Sequence, residues 1–137
     1  MDTETALELV AIVRRLAHER GLQMTVAVHD DAGHPVAVVR GKGKWHGPYT
    51  AMGKARLASA FQKPTKDLVE QWADRPLFPQ SLIEVLPGGV TVNAGGYPVI
   101  VDGECLGAIG VGGSNPDNDH AVARDAVAEF VASRAAR

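Results

Sequence analysis

The chain has 137 residues, enough for one domain with a real core, and its 45% apolar and 22% charged residues are ordinary for a globular protein. A net charge of −2 without a basic stripe argues against a nucleic-acid partner, and one cysteine excludes both an internal disulfide framework and a Cys-only metal site. The longest apolar run is far too short to span a membrane, and the acidic, polar N-terminus is not a signal peptide, so the expected place is the cytoplasm.

Residues 3–20 carry a continuous apolar stripe of Ala6, Leu9, Val10, Val13, Leu16 and Ala17, which predicts an amphipathic helix. Thr5 and Glu8 have the spacing of a capping box, and Gly21 suits the stop. Residues 22–28 alternate, with Met24, Val26 and Val28 on one face, and residues 35–40 form a second strand beyond a turn at 29–34. Residues 41–48 read as a loop with Trp45 and His46. Residues 50–61 read as a helix rich in small residues, and Pro64 ends it. Thr65 is the expected cap of a short helix carrying Leu68, Val69 and Trp72. Pro76, Pro79 and Pro87 predict an irregular segment over 75–89 with one turn near 81–85, and residues 90–93 are a candidate short strand.

The densest signal lies in residues 95–114, where glycines are set among apolar runs. Asp102-Gly103 between two such runs predicts a hairpin, since both central residues of a type I′ turn need positive φ. Asn115-Pro116-Asp117 reads as cap, first-turn proline and first-turn acid of a final helix over 116–135, and Cys105 as a small core hydrophobe. The order is α+β: an antiparallel sheet of about five strands flanked by helices, in a single domain over 1–137.

Several residues invite chemistry. Gly110-Val111-Gly112-Gly113 precedes a helix, but the third glycine and later acid of a dinucleotide fingerprint are missing. A backbone wall at Gly96, Gly110, Gly112 and Gly113 with the helix dipole is one reading, a carboxylate or small ligand being its guest; tight strand–helix packing is the other. No pair of the five histidines has zinc-site spacing. His18, His34 and His120 are each candidates for a lone axial ligand, and His29, His34 and His120 for a general base. Lys54, on an Ala/Gly-lined face, and Arg40, at a strand end, are candidate anion clamps, against the reading of both as solvated cations.

In order along the chain, Asp30 with Gly33-His34, Val36-Ala37 and Arg40, then Lys54-Ala55 with Ala58, Phe61 and Pro64-Thr65, then Gly95-Gly96-Tyr97-Pro98-Val99, Asp102-Gly103-Glu104 and Gly107-Ala108-Ile109-Gly110-Val111, with Asp119 beyond, resemble the signature of the GlcG/HbpS family, which includes the C-terminal domain of PduO proteins. The chain departs from the pattern at Gly112, where the family has Ser, and at Arg56, where it has Thr. The resemblance implies a profilin-like α+β domain, a homo-oligomer of two to eight subunits, and haem as the candidate cofactor, with His18, His34 or His120 as the iron ligand. The first functional expectation is therefore haem binding or handling. The second is a cofactor-independent enzyme using His29, His34, Lys54 and His120 on a small carbonyl or carboxylate compound. The third is a scaffold assembled through the small-residue helix at 50–61.

Overall fold

A computed structural model describes residues 1–135. The elements run α1 (Thr3–Glu19), β1 (Thr25–Asp30), β2 (Pro35–Val39), α2 (Gly47–Phe61), α3 (Thr65–Gln71), α4 (Leu77–Val85), β3 (Gly96–Val101), β4 (Glu104–Gly112) and α5 (Pro116–Ala135). The strands form one four-stranded antiparallel sheet in the order β2-β1-β4-β3.

The sheet has two unlike faces. Val26, Val28, Val99, Ile109 and Val111 point to one side, where they meet Leu9 and Val13 of α1 and Phe130 of α5 in the main core. Small residues, Ala27, Ala108 and Gly110, hold alternate positions of the two central strands, and Ala27 meets Ala51 and Ala55 of α2 on the other side. That contrast follows from how closely α2 approaches. A Cβ on Gly110 would lie 1.9 Å from the carbonyl oxygen of Ala51. A second core on the outer side of α2 joins Leu57, Leu68, Trp72 and Val90, with Phe61 and Phe78 packed edge-on against Trp72 at 5.1 and 5.0 Å.

The hairpin turn is as expected: Asp102 and Gly103 have φ of 51° and 78°. Asn115 caps α5, its Oδ1 accepting from the Asn118 backbone N–H at 2.8 Å. At α1 the cap is Asp2, whose Oδ1 accepts from the Thr5 backbone at 2.7 Å, so the expected Thr5–Glu8 box is displaced by three residues. Thr65 is likewise not a cap: its Oγ1 accepts from the Gly96 backbone N–H at 2.8 Å and ties α3 to β3.

Among the described residues there is no fifth strand. Residues 90–93 cross α2 instead, with Gly53 so close that a Cβ there would lie 2.2 Å from Thr91 Oγ1. Pro98, on the edge strand β3, has no N–H to offer a further strand. The segment at 75–89 is more regular than expected. Pro76 precedes α4 and Pro79 sits in its first turn, where a missing N–H breaks no helical bond.

Candidate functional site

The glycine ribbon is a seat for α2. A Cβ on Gly96 would lie 2.5 Å from the Lys54 carbonyl oxygen and 2.5 Å from the Thr65 methyl, and one on Gly110 would strike Ala51. Gly113, at φ 114°, lies against the backbone of residues 23–25. The expected bare wall at Gly96 and Gly110 is therefore corrected: the absent side chains make room for a helix. The small residues of α2 are spent in the same contact, Ala51, Gly53, Ala55 and Ala58 being buried within the chain, so that face is not available as a subunit interface.

Lys54 is buried at 4% exposure and its ammonium is committed. Nζ donates to the Val111 carbonyl at 3.0 Å and to Asp119 Oδ2 at 3.2 Å, while Asp119 Oδ1 accepts from the Ser114 N–H at 3.0 Å. Gly95 is the residue that leaves room for it, a Cβ there lying 3.0 Å from Nζ and 2.3 Å from the Val111 carbonyl oxygen, whereas one on Gly112 would make only ordinary contact with Nζ at 3.6 Å. This pair locks α2 to the start of α5. It corrects the expectation of Lys54 as a clamp for an outside anion.

The proposed bases are dispersed. His29 is fully buried; its Nδ1 donates to the Gly33 carbonyl at 2.9 Å, and its Nε2 has no partner among the described residues. Burial pushes its pKa below the usual histidine range, outweighing the Gly33 bond that pulls the other way. His34 is 78% exposed on the turn, with Nδ1 3.7 Å from Asp30 Oδ2. It borders a cavity of about 150 Å³ shared with Arg56 and Ser59. Arg56 spans that side by donating to the Gly88 and Gly89 carbonyls at 3.2 and 2.6 Å. His120 is half-buried beside Tyr97, ring centroids 6.0 Å apart, with its Nδ1 unpartnered among the described residues. Burial, then the nearby Lys66, lowers its pKa. Along β4, His29 sits at the level of Ala108 and Lys54 at that of Val111, so His29 and His34 do not converge with Lys54 and His120.

Two other expected residues do come together. His18 and Arg40 line one groove of about 670 Å³ between the end of α1 and the loop after β2. Ala17, Leu22 and Met24 supply apolar surface, and Arg14 and Lys42 add positive charge, while Arg15 on the rim is paired with Glu19 and Glu129. No acidic residue lines it. Arg14 and His18 stand one helical turn apart, which puts both on the same side of α1. Arg40 and Lys42 are brought opposite because β2 pairs antiparallel with β1 and ends beside Met24, where Gly41 lets the backbone approach; a Cβ on it would lie 2.6 Å from the Met24 carbonyl oxygen. Arg14, Arg15 and Lys42 were not among the residues expected at a site. The available signal was the i,i+4 pairing of Arg14 with His18. Among the described residues no group of three or more His, Cys, Asp and Glu is placed to hold a metal ion, and no helix is long and apolar enough to cross a membrane.

Residues 1–128 match the family model for haem degrading protein HbpS-like. Protein GlcG of Escherichia coli strain K12 is 30% identical over 113 residues, covering 81% of this chain and 80% of GlcG. Among solved structures, a double mutant of Streptomyces reticuli HbpS is 29% identical with a TM-score of 0.82, covering 94% of this chain and 86% of that one. A PduOC–haem complex, at 23% identity and a TM-score of 0.80 over 93% of each chain, shares the fold. The four-stranded sheet between α1–α5 and α2, and a match running through the first 128 residues, place this chain in the HbpS-like family.

Proposed function

We propose that this protein binds haem in the groove between α1 and the loop after β2. The observation that carries the reading is the convergence there of one exposed histidine, His18, with Arg14, Arg40 and Lys42 around an apolar floor. The residues fit the group. Haem brings an iron that takes an imidazole ligand, two carboxylates that take cations, and an apolar ring. The groove's 670 Å³ is within the usual range of cofactor sites, about 300–1,000 Å³. His18 would ligate the iron, Arg14, Arg40 and Lys42 would hold the carboxylates, and Ala17, Leu22 and Met24 would meet the ring. Among the other candidates, His34 adjoins a cavity of only about 150 Å³, too small for a macrocycle. The haem complex known for PduOC, a protein of the same fold, supports the reading. Large exposed apolar side chains, Trp45, Tyr49, Leu77 and Val85, support assembly into a homo-oligomer.

Titrating the purified protein with hemin is expected to give a shifted Soret band that His18→Ala abolishes or moves. Light scattering on the same samples counts the subunits. A spectrum that no histidine substitution alters would refute ligation by the protein. A second reading, a cofactor-independent reaction on a small carbonyl or carboxylate compound, is favoured by the smaller cavity at His34 and Arg56.

A further inference from the structure

The charge pairing of the arginines divides sharply. Arg15 pairs with Glu19 and Glu129, Arg20 with Asp125, Arg124 with Asp125 and Arg134 with Glu8. Arg14 and Arg40 have no carboxylate within ion-pair distance among the described residues, and both face the same groove, beside Lys42. In a chain with more acids than bases, gathering cations without carboxylate partners around an apolar floor leaves a local positive potential, whose modest self-repulsion costs some stability even though solvent screens these exposed side chains. An incoming anion removes that cost. Arginine's planar fork suits a carboxylate, which it binds in a bidentate way.

We propose, resting on the groove as the ligand site, that recognition there is of carboxylates on an apolar body and is independent of iron. The ligand class is an apolar dicarboxylate, of which metal-free porphyrins are members along with haem. His18 reads the metal; Arg14 and Arg40 set the affinity. The groove then receives the tetrapyrrole with or without its iron, so it is suited to hold the ligand on either side of a reaction that inserts or removes the metal.

Fluorescence titration with metal-free protoporphyrin IX, with its dimethyl ester, and absorbance titration with hemin test this. Protoporphyrin is expected to bind within about tenfold of hemin, and Arg14→Gln with Arg40→Gln to weaken both by about tenfold or more, as expected for losing hydrogen bonds to charged groups. The ester is expected not to bind. His18→Gln is expected to leave protoporphyrin affinity unchanged while altering the hemin spectrum. Both arginines are exposed, so unchanged circular dichroism of the variants separates lost binding from lost folding. Hemin binding without protoporphyrin binding, or an ester that binds as well as the acid, overturns the inference and leaves the haem reading standing. Protoporphyrin binding without hemin binding overturns the haem reading and supports the inference. Failure of both overturns both.

Discussion

Lys54 and Asp119 show how a residue that looks chemical can be structural. Both are almost fully buried, with side-chain exposures of 5% and 6%, and each meets a backbone partner as well as the other. Removing one member strands a charge in a dry layer, which costs about 3–5 kcal/mol. Lys54→Met is therefore expected to lose that much in urea unfolding, and adding Asp119→Asn to recover part of it. A loss below about 1 kcal/mol would contradict the pair's role. His29 gives a pH signature. Unfolded, it takes a proton at its ordinary pKa of about 6.5; folded, burial holds the proton off until lower pH. Between those two values the unfolded chain binds more protons, so stability rises with pH. His120 shifts the same way. The urea midpoint is expected to fall as pH drops from about 7.5 to about 5.5, a window above most carboxylate titration, and His29→Gln to flatten the change. A wild-type midpoint constant across that window would contradict it.

At the scale of elements, α2 and β4 stand or fall together. Gly110→Ala would drive a methyl into the Ala51 carbonyl, and neither backbone can yield without moving a helix or a strand. A loss of about 3 kcal/mol or more is expected, with a thermal midpoint lower by roughly 10 °C. A midpoint within about 2 °C of wild type would show that α2 is not seated as described. This contact also explains what the sequence made legible. The stripe of α1, the Asp102-Gly103 turn and the Asn115 cap each follow from local rules, and each is present in the fold. The glycines of 95–113 signalled close approach equally clearly, but a local pattern does not say whether a ligand or a helix approaches. Residues 90–93 have the composition of a strand, and only the packing of Thr91 on Gly53 draws them away from the sheet. The prolines of 76–79 looked like breakers because the first turn of a helix, where they are harmless, is not marked by any other residue there.

At the scale of the molecule, the groove depends on tertiary structure in a way the helices do not. Arg14 and Arg40 are 26 positions apart in sequence and belong to different elements. They become neighbours only once β1 and β2 have paired and α1 has docked on the sheet. The individual candidates His18 and Arg40 were legible; their partnership was not, since no periodicity links a helix end to a strand end.

The bare seat of α2 on the sheet has one more consequence. With main chain touching main chain, there are no intervening rotamers to rearrange, so that side of the molecule has few soft degrees of freedom. The groove lies at the end of the sheet where the loop beyond β2 leads back into α2. For the ligand proposed there, the glycine-punctuated loop on the rim would be the part free to adjust, while the opposite side of the sheet, under α2, would stay fixed.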